Sequence, residues 1–505
     1  MASPASETMF AVDAAAPGRR MARSWEVAVG AGDAWSLLRA DLQQQLARAV
    51  RECGFQYLRC HGILCEQLQS AIRNRQSELV HNWRLVDAAY DALLDCGLRP
   101  FVELGFMPPV YASGEQRIFY YRANVTPPAD YAAWNSFIGA LVSHWRQRYG
   151  AEELRRWYFE VWNEPNLPAF WSGTQEDYYR LYIETARTVK AVDPELRLGG
   201  PATTMAGWLR EFVRWCGANG APLDFVATHV YPDDDQFEKT DPNYREEFNR
   251  GGYLEKVVRR AYDEVADAAR DAGFPPLPTH WTEWNSSWRW GRPIHDATNQ
   301  AAYICRVMHA IHEQVDSFAY WTISDIFNEF PFPRSEFVGG FGLITIGGVP
   351  KPGYHAYQLL HRLGDHELPA ERRNGAERDA SQGSLDCWAA REGESLQLLL
   401  TNYTPPGLEG ATLPDRQVRV ELRGLRSASW TVTETRVDPE HANGRAAWEA
   451  MGAPEAPTPD ELQRLRDAAE LRTQPLRLHR PGHDTAAVEV ALPPSSAVLL
   501  EIQPG

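Results

Sequence analysis

Residues 157–166 read Trp-Tyr-Phe-Glu-Val-Trp-Asn-Glu-Pro-Asn, and residues 279–285 read Thr-His-Trp-Thr-Glu-Trp-Asn. Each is a short, mostly apolar run of strand composition that opens into a loop at a glutamate, Glu164 in the first and Glu283 in the second. Six further runs of the same kind flank them: Trp25–Val29, Phe55–His61, Arg99–Phe106, Arg197–Pro201, Phe225–His229 and Phe318–Trp321. Together with Trp157–Asn163 and Thr279–Trp284 they make eight candidate strands. Helical patterns separate them near 37–54, 83–96, 130–149, 175–192, 207–219, 253–272 and 299–313. In the sixth, Leu254, Val257, Val258, Ala261, Val265 and Ala268 share one stripe at helical spacing. Gly54, Gly97 and Gly273 fall at or just past three helix ends, where a left-handed cap is wanted.

Eight strands, each but the last followed by a helix, predict an α/β fold: a (β/α)8 TIM barrel over residues 25–355, preceded by an N-terminal arm over 1–24. The alternative, a doubly wound open sheet, is weakened by the lack of a Gly-rich turn after the first strand. Beyond about residue 362 the alternation stops. Leu396–Thr401, Val418–Leu422, Trp430–Val437 and Ala487–Ile502 read as strands between Pro/Gly-rich turns. They predict a C-terminal accessory β-sandwich over 356–505, with a short helical insert near 459–470.

The bulk composition narrows the function. A chain of 505 residues suits a barrel with an accessory domain, and 44% hydrophobic residues can fill both cores. The formal charge of −16, without a basic tract, argues against nucleic acid or an anionic membrane as partner. A small oligosaccharide is the expected partner, and monomer against homo-oligomer stays open. The 18 Trp and 20 Tyr supply flat amphipathic faces that suit sugar rings, although most aromatics in any protein fill core. The seven cysteines are odd in number and form no CxxC pair, which predicts free thiols rather than a disulfide framework or a structural zinc site. The first 24 residues lack the apolar core of a secretory signal and no window approaches a membrane span, so a cytoplasmic location is expected, or a periplasmic or secreted one if a leader was removed.

No nucleophile-elbow serine, P-loop or dinucleotide fingerprint is present, and no cofactor is expected. His309 and His312 are helix neighbours without a third ligand, and Asp233–Asp235 reads as a solvated loop, so no metal site is expected.

In a barrel of this kind the chemistry sits at the C-terminal ends of the strands, where Glu164 closes the fourth and Glu283 the seventh. A pair of carboxylates is what cleavage of a glycosidic bond needs. One acid protonates the leaving oxygen, and the other attacks the sugar or activates water. Retaining enzymes hold the two about 5 Å apart, inverting ones about 6.5–9.5 Å. At about 5 Å and an effective dielectric near 20 the two charges repel by roughly 3 kcal/mol, enough to keep one protonated near neutrality.

The string Glu160-Val161-Trp162-Asn163-Glu164-Pro165-Asn166-Leu167, with Phe170-Trp171 after it, resembles glycoside hydrolase family 39, the β-xylosidase and α-L-iduronidase family. Arg59-Cys60-His61-Gly62-Ile63, Pro100 to Pro108, Thr228-His229-Val230-Tyr231-Pro232, Thr282-Glu283-Trp284-Asn285 and Trp321 to Phe327 agree with it, as does Asn443 to Pro457 more faintly. The resemblance implies that Glu164 is the general acid/base and Glu283 the nucleophile of a retaining exo-glycosidase. It implies that Asn163, His61, His229, Tyr231 and Glu329 line the sugar subsite, with Phe119 and Phe170 as apolar walls. A β-D-xylosidase is the leading expectation. The same machinery on an α-L-arabinoside or α-L-iduronide is the alternative, and a non-catalytic carbohydrate-binding protein is the rival of another class. One departure stands out: the family's two consecutive acids after Asp325-Ile326-Phe327 are here Asn328-Glu329.

Overall fold

A computed structural model of the chain describes residues 8–374, 383–427, 429–479 and 485–505. Eight parallel strands close into a barrel: Ala28–Asp33, Tyr57–His61, Arg99–Leu104, Tyr158–Val161, Arg197–Thr203, Phe225–Val230, Thr279–Trp284 and Ser317–Tyr320. All eight sequence runs are therefore barrel strands, and the open sheet is ruled out by the pairing of the eighth strand with the first. The barrel is an αβ repeat because each strand is followed by an amphipathic helix that covers it. Gly54, Gly97 and Gly273 adopt φ of 73°, 89° and 76° at or just past the ends of such helices, a conformation that costs a side-chain-bearing residue more. The helix Gln175–Val192 opens with a capping box between Thr174 and Asp177, which ends the fourth-strand loop at a defined point.

Two boundaries differ from the sequence reading. Ser24–Val27 forms a helical turn, and the first strand starts only at Ala28. Trp25 lies fully buried there, its ring 5.4 Å from that of Trp388 in the second domain, so it seals the barrel instead of lengthening a strand. An eighth helix, Pro352–His361, runs across the domain boundary expected at residue 356. It completes the outer ring between the helices Asn299–Ile311 and Ala40–Cys53.

The second domain is a sandwich of a four-stranded and a seven-stranded sheet. Alternate residues of facing strands, Val418, Val420 and Leu422 against Leu396, Leu398 and Leu400, make its core. Thr8–Asp13, expected within an arm, is a strand of this sandwich, parallel to Arg416–Arg423 and antiparallel to Ala370–Arg372. The run read as one strand over 487–502 is two, Thr485–Leu492 in the small sheet and Ser496–Pro504 in the large one. Pro493 and Pro494 break it, because proline cannot donate to a ladder. The insert is helical at Gly444–Ala450 and Pro459–Ala468. Trp388, Leu399 and Leu499 of the large sheet share the barrel's own core, so the sandwich supports the barrel by direct packing. All seven cysteines are free. Among the described residues no helix is long and apolar enough to cross a membrane.

Candidate active site

Strand register brings the predicted residues together at the C-terminal mouth. His229 pairs with Glu283 between strands six and seven, and Glu103 pairs with Glu160 between strands three and four. Glu164 and Glu283 present carboxylate oxygens that, with one nitrogen of His229, all lie within 4.8 Å of one another. Both acids are buried, at 7% and 4% exposure.

Their surroundings differ in kind. Each oxygen of Glu283 accepts a hydrogen bond, one from Arg59 Nη1 at 2.6 Å and one from the Tyr231 hydroxyl at 2.7 Å. The guanidinium is fully buried and also donates to Glu160 at 2.6 Å and to Asn163 Oδ1 at 2.8 Å, with Glu103 at 3.0 Å. Asn163 spends its carbonyl on Arg59, which leaves its amide nitrogen to donate into the pocket.

Glu164 has no such cation in contact. Burial, and then the nearby charge of Glu283, hold its carboxyl well above the usual carboxylate range. Its Oε1 lies 2.9 Å from His229 Nδ1. The Thr282 hydroxyl donates to Glu160 at 2.6 Å, so its oxygen accepts from His229 Nε2 at 3.1 Å. Burial and the charge of Arg59 push His229 well below the ordinary histidine range, so the ring is neutral with its proton on Nε2. The bare Nδ1 then accepts the proton of Glu164. The order Arg59, Glu160, Thr282, His229, Glu164 thus carries one consistent set of donors and acceptors, ending in a protonated acid beside the side chain that Arg59 and Tyr231 hold.

The remaining predicted residues form the far end and one wall. His61 Nδ1 contacts Glu103 at 2.6 Å, and its Nε2 lies 3.5 Å from both Glu283 and Glu329. Glu329 is buried with its Oε1 lacking a hydrogen-bond partner among the described residues, and burial and then the charge of Glu283 hold its carboxyl well above the usual range. Phe119 stacks on His61 at 5.7 Å, and Phe170 meets Phe119 edge-on at 5.4 Å. Asn328 turns from the pocket and donates to Asp33 and to Ser36, both at 2.9 Å. An acid there would face the buried carboxylate of Asp33, whereas the amide satisfies it.

Residues 8–480 match the profile of Glycosyl hydrolases family 39. The chain is 35% identical over 485 residues to a beta-xylosidase of Caldicellulosiruptor saccharolyticus, with 95% of each covered. It is 35% identical over 469 residues to a beta-xylosidase of Geobacillus stearothermophilus, with 91% of this chain and 89% of that one covered. Among solved structures, a GH39 beta-xylosidase from Caulobacter crescentus superposes with a TM-score of 0.80 at 33% identity, covering 98% of this chain and all of that one.

The chain belongs to glycosyl hydrolase family 39.

As a family 39 glycosyl hydrolase the protein is an enzyme that breaks glycosidic bonds, and the paired carboxyls are the groups able to do so. Glu164, His229 and Glu283 are also the one described group spaced to hold a cation. The charge of Glu283 is already met by Arg59, and both nitrogens of His229 are engaged, so this set does not suit a metal.

The family 39 site contains residues to which the sequence analysis assigns no role. Arg59, Glu103, Glu160 and Thr282 form the polar layer beneath the acids, and Trp321 closes the floor 4.6 Å from His61. A signal existed: Arg59, Glu103 and Glu160 are charged residues inside otherwise apolar strands, and a buried charge needs a partner.

Proposed function

We propose that the protein is a retaining exo-glycosidase whose substrate is a β-D-xyloside, releasing xylose from the non-reducing end of xylo-oligosaccharides. The observation that carries the mechanism is the closeness of the Glu164 and Glu283 carboxyls, within 4.8 Å, with opposite environments. That separation suits direct attack and leaves too little room for the water of an inverting enzyme. Glu283, held by Arg59 and Tyr231, attacks the anomeric carbon while Glu164 protonates the leaving oxygen. The covalent glycosyl-enzyme is then hydrolysed by water that the ionised Glu164 activates.

Exo action accords with a closed end to the site, where His61 Nε2 lies 3.5 Å from both Glu283 and Glu329 and Phe119 stacks on the His61 ring. A uronate such as an iduronide is disfavoured because Arg59, the cation beneath the acids, is already shared among three carboxylates. The relatives called beta-xylosidases favour xylose over arabinose. A screen of aryl glycosides differing only in the sugar tests this: β-xyloside should be cleaved fastest, and a faster α-L-arabinoside or α-L-iduronide would reassign the sugar.

A pH dependence follows from the same environments. Glu164 must carry its proton in the first step, and burial raises its carboxyl, so kcat/KM should hold past the ordinary carboxylate range and fall at alkaline pH. The limb belongs to the interacting pair. With Glu164→Gln and a dinitrophenyl xyloside, which leaves without protonation, the alkaline limb should vanish from the first step. Its persistence would assign that limb to another group.

A further inference from the structure

Thr282 stands one residue before Glu283 on the seventh barrel strand and is fully buried. Its hydroxyl has a single proton and two partners. The proton goes to Glu160 Oε1 at 2.6 Å, and the oxygen lies 3.1 Å from His229 Nε2. Arg59, 2.6 Å from the other oxygen of Glu160, favours the ionised carboxylate that accepts from Thr282.

A neutral histidine carries its hydrogen on one ring nitrogen or the other, and the choice is set by what each nitrogen meets. The Thr282 oxygen, its proton spent on Glu160, can only accept, so Nε2 carries the hydrogen. Nδ1, 2.9 Å from Glu164 Oε1, is then bare. A bare nitrogen accepts from a protonated carboxyl and repels an ionised one. With the hydrogen on Nδ1 instead, the ring would donate to the carboxylate and favour loss of the very proton that the first step needs.

The other charged and titratable groups around Glu164 act on its charge and leave the ring alone. Glu283, Asp234 and Glu329 oppose that charge, whereas Arg59 and the Thr204 side chain favour it. Tyr231 and His61 meet Glu283. Among the described residues only Thr282 hydrogen-bonds His229 Nε2.

We propose that Thr282 is a positioning residue: it fixes His229 in the tautomer that accepts from Glu164, and so keeps the acid protonated for the first step. Its bearing on the reaction rests on Glu164 being the acid, whereas the tautomer itself does not.

Thr282→Val keeps the shape of the side chain and removes the hydroxyl, and Thr282→Ser keeps the hydroxyl. Imidazole nitrogen NMR on protein with isotopically labelled histidine reads the tautomer directly, with the His229 signals assigned by their loss in His229→Asn. The native enzyme and Thr282→Ser should carry the hydrogen on Nε2, and Thr282→Val on Nδ1. Should Thr282→Val not fold, Glu160→Gln gives the same test. Its amide can donate to Thr282, whose hydroxyl then turns to donate to His229 and drives the ring hydrogen to Nδ1. A native ring with its hydrogen on Nδ1, or a ring that the variant leaves unchanged, overturns the proposal. On an aryl xyloside the alkaline limb of kcat/KM should move down by about one pH unit in Thr282→Val, the size of one hydrogen bond to a charged group, and stay in place in Thr282→Ser. A limb that stays while the tautomer shifts also overturns the proposal. Should Glu164→Gln keep that limb as well, the fault lies instead in the assignment of Glu164.

Discussion

Replacing Glu164 by alanine is expected to end hydrolysis of xylobiose while leaving the first step on a dinitrophenyl xyloside almost intact. Proton donation is typically worth roughly 10²–10⁴-fold, and an activated phenolate departs without it. The second step still lacks its base, so a covalent intermediate should build up after a burst. Azide attacks without giving up a proton and should restore turnover, yielding the β-azide, because two inversions have then occurred. Glu283→Ala removes the proposed nucleophile, so no glycosyl-enzyme should form and every substrate should suffer. The two variants would be assayed with and without azide and the product anomer read by NMR. An α-azide from Glu164→Ala would exchange the roles of the two glutamates, and rescue of neither variant would remove both from the reaction.

Arg59→Met should be the most damaging change below the acids. The guanidinium is fully buried and faces the carboxylates of Glu103, Glu160 and Glu283. Methionine fills a similar volume but leaves three acids in a dry space without a cation. Removing one partner of a buried ionic cluster costs about 3–5 kcal/mol. The nucleophile also loses the group that aims it, and misplacement of about 1 Å can cost on the order of 10²-fold in rate. Arg59→Lys keeps the charge but cannot donate along the four directions that Arg59 uses, so it should fall between the two. Urea unfolding and kcat/KM on an aryl xyloside would measure both effects. A methionine variant as stable as the native protein would show that the acids beneath the site are held neutral by other means.

The parts of this architecture that local pattern encodes were legible. An apolar run ending in Asn163-Glu164 or Glu283-Trp284 announces a strand that opens at the mouth, and helical stripes between runs announce the covering layer. Motif resemblance brought His61, His229, Tyr231, Glu329, Phe119 and Phe170 to the same pocket, and the structure places them there. What escaped is what depends on partners far along the chain. Arg59 is one charge in one strand until Glu103 and Glu160 arrive on its neighbours. Asn328 looked like a lost subsite acid, and only its contact with Asp33 gives it a role. Thr8–Asp13 has ordinary strand composition, but nothing local says that it pairs with Arg416–Arg423. The split at Pro493-Pro494, by contrast, is local, because two consecutive prolines cannot donate to a ladder.

That early strand has a consequence for how the molecule is made. Synthesis delivers Thr8–Asp13 first, then the whole barrel, and only then the strand it lies beside. On the ribosome the barrel can close behind an edge that still has no neighbour, and an unpaired edge is where nascent chains associate wrongly. The sandwich is assembled from both flanks of the barrel and cannot be cut away as a tail. A barrel produced without residues 366–504 would keep a lone strand with nothing to pair, and would expose Trp25 where Trp388 now covers it. Engineers who wish to shorten this enzyme, or to graft another module onto it, have to treat its two flanks as one piece.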